Sequence, residues 1–336
     1  MITENYMLEA LELAKKAWGQ TSPNPLVGAV IVKDNKIVGR GYHHRAGEAH
    51  AEINALRDAG VNAEGADIYV TLEPCSTFGR TPPCTQAIID AGIKKVFVGS
   101  VDPNPAHAGK GLEILEQAGL KTVCGIEKDA CDKINEAFFS WISSGKPFVI
   151  LKMAMTLDGK IATADGQSKW ITGPAAREHV QHLRKWCDAI MVGGETVRKD
   201  RPGLTVRDTD APQAIKLIAT RSMNDKDLLE YFPDNSARAI SPSSSARWQD
   251  LLTELGKENI TALLIEGGGE LAAEVLNAGI VDKIEFHIAL KILGGKDSRP
   301  VVGGKNPLSL DEAKLLRDYK LEIVGDDVII SGYLIK

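Results

Sequence analysis

One histidine and two cysteines, His50, Cys75 and Cys84, constrain this chain more than any other feature of it. Imidazole and thiolate are zinc ligands, and a set of three leaves a fourth position open, which marks a catalytic rather than a structural site. Glu52, two residues past the histidine, offers a carboxylate for moving protons there. The fold must therefore bring three separate points of the chain to one spot. In α/β architectures that spot lies at the C-terminal ends of strands.

The 336 residues suffice for two domains of ordinary size. With 43% hydrophobic and 25% charged residues the chain reads as soluble and globular. Net charge is −5, spread evenly: residues 1–146 hold 15 basic and 18 acidic side chains (−3), leaving 25 and 27 (−2) for the rest. Neither part has the cationic excess of a nucleic-acid binder, so a small-molecule substrate is expected. No apolar run approaches the ~18 residues of a membrane span. Glu4, Glu9 and Glu12 interrupt any signal-peptide core, while Met7, Leu11, Ala14 and Trp18 recur at helical spacing. A packed amphipathic helix in a cytoplasmic protein is expected. Five cysteines in so long a chain make no disulfide framework, and Cys124, Cys131 and Cys187 read as ordinary thiols.

Residues 1–145 alternate helix and strand. A helix near 6–18 precedes a hairpin (27–32 and 36–41, turning at Asp34-Asn35) and a helix at 50–59. A strand at 68–72, a helix after Cys84, a strand at 96–101, a helix at 112–118, a short strand at 121–123 and a helix at 128–142 complete an α/β/α sandwich. Ser143-Ser144-Gly145-Lys146-Pro147 is the linker candidate, being small, polar and helix-breaking. Residues 146–336 then give a strand at 148–155, a helix at 175–186, strands at 189–192, 215–219 and 262–265, a helix at 270–278 and a strand at 283–288. A last hairpin spans 320–334, turning at Gly325-Asp326-Asp327, and 223–258 is weakly patterned.

Along an ideal helix His50 and Glu52 would point about 200° apart, so they can share one site only at a helix start. Gly47-Glu48-Ala49 supports such a start. Cys75 follows a strand through Glu73-Pro74, and Cys84 opens a helix behind Thr81-Pro82-Pro83, an N-cap with proline in the first turn. The positive end of that helix would help hold its sulfur as thiolate. A closed structural clip would need a fourth protein ligand, for which His43 or His44 are the candidates. His-x-Glu with a Pro-Cys pair is the arrangement of zinc-dependent base deaminases, in which the glutamate serves as acid and base. Here the cysteines stand nine positions apart instead of three. Glu52→Ala should then retain zinc and lose deamination.

Pro23-Asn24-Pro25-Leu26-Val27-Gly28, Gly41-Tyr42-His43, Arg45 through Glu52, Thr71 through Ser76 and Gly79-Arg80-Thr81-Pro82-Pro83-Cys84 resemble the bifunctional riboflavin-biosynthesis deaminase/reductase family. The long cysteine gap is that family's own form. Asp102-Pro103-Asn104-Pro105 and Gly109-Lys110-Gly111 continue the match, as do residues 151–160, Ser168 through Thr172, Thr196-Val197 with Asp200, Leu204 through Arg207 and Glu266 through Gly269. The resemblance implies a cytidine-deaminase-like N-terminal α/β/α sandwich (1–145) and a dihydrofolate-reductase-like C-terminal α/β domain (146–336). Zn2+ would serve the first and NADPH the second, which would reduce the ribosyl group of the deaminated intermediate to ribityl. Ser168, Leu204 and Glu266 would line the substrate pocket, with Ala154, Trp170, Thr196, Asp200 and Thr220 near the dinucleotide. The family often carries an acidic residue where Arg201 stands. A homo-oligomer formed through the reductase domains is also implied.

From the residues themselves, Gly267-Gly268-Gly269 joins a strand to a helix, where small residues let a pyrophosphate approach the amide end. Gly267, Gly269 and Ala272 fit G-x-G-x-x-A, with Glu285 eighteen residues on, but lie too late in the domain for a first-strand dinucleotide fingerprint. Arg184 and Arg207 are candidate phosphate ligands because guanidinium forks suit phosphate. Two other readings compete: a tRNA or DNA base deaminase with an accessory nucleotide-binding domain, and a binding module with structural zinc. The first would want a cationic face and the short cysteine gap. The second would show neither ammonia release nor NADPH oxidation.

Overall fold

The computed structural model describes residues 2–77, 82–104, 108–208 and 210–335, which divide into two compact units, Met1–Gly145 and Lys146–Lys336. Gly79, Arg80, Thr81 and Pro105 of the motifs above lie outside the described residues.

The first unit runs α1 (Ile2–Lys15), β1 (Gly28–Lys33), β2 (Lys36–Tyr42), α2 (Ala51–Ala59), β3 (Asp67–Leu72), α3 (Cys84–Asp90), β4 (Lys95–Ser100), α4 (Lys110–Gln117), β5 (Lys121–Cys124), α5 (Lys128–Ile134) and α6 (Glu136–Ser144). Its sheet has the order β2-β1-β3-β4-β5, with β1 antiparallel to both neighbours and β3, β4 and β5 parallel. Alternation along the strands builds two cores. Ala29, Ile31, Ile68, Val70, Val96 and Val98 face α2 and its neighbours, while Val30, Val32 and Tyr69 face α1 and α5. The α/β/α sandwich is present.

The helix expected at 128–142 is two helices. Asn135 breaks it, with φ −114° and ψ 16°, because its buried amide is committed elsewhere: Oδ1 accepts from Leu26 N at 2.8 Å and Nδ2 donates to Leu26 O at 2.9 Å. Asn135→Ala would leave a buried N–H and C=O unpaired. An expected loss of about 2 kcal/mol in urea unfolding follows; a change near zero would show that water replaces the amide. Ser143 and Ser144 belong to α6, and only Gly145, left-handed at φ 71°, ends it, so the linker is shorter than its composition suggests.

The second unit contains β6 (Phe148–Thr156), β7 (Lys160–Ala162), α7 (Pro174–Trp186), β8 (Ala189–Gly193), α8 (Gly194–Asp200), β9 (Ile215–Ala219), α9 (Asp225–Leu228), β10 (Ala237–Ile240), α10 (Ser245–Lys257), β11 (Ala262–Glu266), α11 (Gly269–Asn277), β12 (Lys283–Ala289), β13 (Arg299–Pro300), β14 (Leu316–Val324) and β15 (Asp327–Leu334). The main sheet is β10-β9-β8-β11-β6-β12-β15-β14, parallel as far as β12 and antiparallel beyond. The weakly patterned stretch proves ordered: Ser244 caps α10 by accepting from Arg247 N, and Trp248, Leu252 and Leu255 enter the core at helical spacing. Among the described residues no helix is long and apolar enough to cross a membrane.

Candidate active sites

In the first unit, His50 is the N-cap of α2, in extended conformation (φ −70°, ψ 164°), and Glu52 is the helix's second residue. This break in helical geometry removes the 200° separation and lets both side chains serve one site. Cys75 lies just beyond β3, and Cys84 is the first residue of α3. Pro83 rather than Thr81 is the N-cap, without a side-chain cap bond. The three ligand atoms lie within 4.8 Å of one another, His50 Nδ1 standing 3.3 Å from Cys84 Sγ and 3.5 Å from Cys75 Sγ. Tetrahedral zinc, with bonds of about 2.1 Å to nitrogen and 2.3 Å to sulfur, sets such ligand atoms roughly 3.6 Å apart. The donor set and its spacing both fit that ion.

Neither candidate fourth ligand joins the cluster. His43 is buried and committed, with Nε2 3.0 Å from Asn24 Nδ2 and Nδ1 3.1 Å from Ala49 O, and His44 stacks on Tyr42. Glu52 is 3% exposed, and its carboxyl is pushed up to about 7 because burial penalises the charge more than His50 relieves it. Without metal, the helix end favours the other sulfur from the one expected. Cys75 is lowered to about 4 by hydrogen bonds from the Cys84 side chain, then from His50 and the Cys84 amide (3.3 Å), whereas Cys84 is raised. His50 rises to about 9 through its bond to Cys75.

In the second unit, an open cleft of about 1510 Å³ is lined by every residue proposed there: Ala154, Ser168, Trp170, Arg184, Thr196, Asp200, Leu204, Arg207, Thr220, Glu266, Gly267, Gly268 and Gly269. Asp200 Oδ1 accepts from Ser168 Oγ at 3.0 Å, and its carbonyl accepts from Lys169 Nζ at 2.9 Å. Leu204 is buried at φ 50°, a left-handed conformation costly for a branched side chain and often stored at functional sites.

Two expectations need correction. Gly267 and Gly269 are small for packing: an added Cβ would stand 2.9 Å from the Leu271 side chain and 2.5 Å from Pro300 O respectively. Only Gly268 has room above it, its nearest neighbour being Thr196 Oγ1 at 3.6 Å. Nor is Arg184 a free fork. Its Nε and Nη2 donate to Glu266 Oε1 and Oε2 at 2.6 and 3.0 Å, and Nη1 to Thr205 O at 3.3 Å. Arg207 is exposed at the cleft. Sequence reasoning missed Lys152, which lines the cleft with its side chain buried and its amine held below the usual lysine range by that burial. A lone lysine inside the apolar run of β6 was the available signal.

With this geometry in view, likeness to known proteins becomes informative. Residues 1–100 match the cytidine and deoxycytidylate deaminase zinc-binding region, and residues 147–330 match the RibD C-terminal domain. The chain belongs to the RibD family. The riboflavin biosynthesis protein RibD of Actinobacillus pleuropneumoniae is 42% identical, over 98% of this chain and 95% of that one. The structure of Acinetobacter baumannii RibD, form 1, superposes with a TM-score of 0.90 at 35% identity, covering 100% and 99%. The Thermotoga maritima diaminohydroxyphosphoribosylaminopyrimidine deaminase/5-amino-6-(5-phosphoribosylamino)uracil reductase gives 0.88 at 33%, covering 99% of each. The chain is thus a deaminase and reductase of riboflavin biosynthesis, with a zinc-binding deaminase region, and the nucleic-acid deaminase reading is not favoured.

Proposed function

We propose that residues 1–145 deaminate 2,5-diamino-6-ribosylamino-4(3H)-pyrimidinone 5′-phosphate and that residues 146–336 then reduce its ribosyl group to ribityl with NADPH. The observation that carries this reading is the convergence of His50, Cys75 and Cys84 beside the buried Glu52 carboxyl. His50, Cys75 and Cys84 would hold zinc, which when bound would supply Lewis acidity at neutral pH. Glu52 would accept a proton from the attacking water as the water's oxygen bonds to the amino-bearing ring carbon. It returns protons to the ring nitrogen and to the departing amine, so that water and the C–NH2 group become C=O and ammonia.

In the cleft, NADPH when bound supplies the hydride. The amide end of α11 at Gly268 and the side chains of Thr196, Thr220, Asp200, Trp170 and Ala154 would hold the dinucleotide. Ser168, Leu204, Glu266 and Arg207 would hold the ribotide, Arg207 at its phosphate. Arg184 keeps Glu266 ionised and oriented, and Lys152 is the ammonium placed to give the proton that accompanies hydride. The family likeness supports the preference for NADPH and association through the reductase units, and the packed amphipathic helix at the N-terminus supports a cytoplasmic location.

A coupled assay with the diamino ribotide tests both halves. Chelation of zinc should abolish ammonia release while NADPH oxidation continues with separately supplied deaminated intermediate. Ammonia release that survives chelation would remove zinc from the mechanism.

A further inference from the structure

A second convergence of metal-binding side chains lies in the second unit, outside the cleft. Glu285 and His287 lie on one face of the sheet along β12, while the alternating Ile284 and Phe286 pack on the hydrophobic core of the other. His179 reaches the same point from α7. His179 Nε2 stands 3.1 Å, and His287 Nε2 2.9 Å, from the same oxygen, Glu285 Oε1, and one ligand atom from each of the three residues lies within 4.8 Å of the others. None of them lines the cleft.

We propose that His179, Glu285 and His287 form a second metal site that takes a divalent first-row ion of the zinc class. Two imidazoles and one carboxylate are a zinc donor set, and bonds of about 2.0–2.1 Å at the tetrahedral angle set ligand atoms roughly 3.3 Å apart. The two histidine-to-Glu285 separations, 3.1 and 2.9 Å, are slightly shorter than that, and all three ligand atoms lie within 4.8 Å of one another. His287 is wholly buried and turns Nε2 to the shared point beside Glu285 Oε1. His179, with 27% of its side chain exposed, leaves a path for the ion and for a solvent ligand.

The local charge is suited to a cation. Glu285 and Glu322 face His179, and Lys152 stands between Glu266 and Glu285, which are its strand neighbours in register. The ion would pin α7 to the sheet. Because α7 also carries Arg184, the site would steady the arginine that grips Glu266 at the cleft. This assignment does not depend on the catalytic readings of either unit.

The test uses the full chain and Zn2+ or Co2+ alone. At a tenfold excess of free metal the wild type should bind two equivalents. A Cys75→Ser, Cys84→Ser chain should bind one, and its cobalt form should lack the intense sulfur-to-metal charge-transfer absorption of the first site. Adding His179→Gln, a substitution at a part-exposed helix position, should bring binding to none. Zinc should raise the melting temperature of the Cys75→Ser, Cys84→Ser chain by about 5 °C and leave that of its His179→Gln derivative unchanged. The proposal is overturned if the Cys75→Ser, Cys84→Ser chain binds no metal, or if its one equivalent survives either His179→Gln or Glu285→Gln.

Discussion

Glu52→Gln is expected to lower deamination roughly 10³-fold while zinc stays bound and NADPH-dependent reduction of supplied intermediate is untouched. The amide keeps the shape of the carboxyl and cannot carry a proton in either direction, so the loss falls on the chemical step. The measurements are ammonia release, bound zinc and NADPH oxidation on one preparation; turnover within tenfold of wild type would remove Glu52 from proton transfer. The same residue leaves a mark on stability in chelated protein. Its folded pKa, about 7, lies above the ordinary 4.5, so the folded state holds this proton more tightly than the unfolded chain does. The stability it contributes is complete below 4.5 and is lost as pH rises through 7. Chelated Glu52→Gln should therefore lose less stability than chelated wild type between those values, as read by thermal unfolding.

Arg184→Ala is expected to destabilise the second unit by about 3 kcal/mol and to abolish measurable reduction, with deamination retained. The substitution strands a buried carboxylate, because Glu266 now receives both its short hydrogen bonds from this guanidinium. Burial acts to raise the Glu266 carboxyl, and the charge and hydrogen bonds of Arg184, aided by Lys152, overcome it and hold the pKa below 4.5. A depressed carboxyl contributes stability above its unfolded pKa that is lost as pH falls through the folded one. Wild type should thus weaken on acidification below 4.5. In Arg184→Ala burial acts with less opposition, Glu266 keeps its proton more readily, and the deficit against wild type should narrow as pH falls. Urea unfolding at neutral and acidic pH checks this; a deficit that does not change with pH would show that Lys152 alone keeps Glu266 ionised.

The deaminase site was legible because its residues are rare, reactive and set at element ends. Histidine at a helix start, cysteine after a strand and cysteine opening a helix can be recognised without knowing how the elements pack. The cleft was legible more thinly. Its lining came from motifs, but the pairing of Arg184 with Glu266 joins residues 82 positions apart and has no local signature. Asn135 hid for the same reason: within a helical pattern nothing marks an amide that bonds Leu26, 109 residues away. In α10 the apolar spacing was present but masked by a polar, serine-rich approach.

Strand alternation, helix periodicity and turn residues act over a few neighbours, so the sequence by itself determined most of the elements of the first unit and the candidate trio His50, Cys75 and Cys84 with Glu52 beside it. Strand register and helix docking depend on burying apolar faces drawn from the whole unit. The tertiary structure alone therefore decided that Glu266, Lys152 and Glu285 share one row across three strands. It also decided that His179 meets Glu285 and His287 under α7, and that the Cys84 amide serves the sulfur of Cys75.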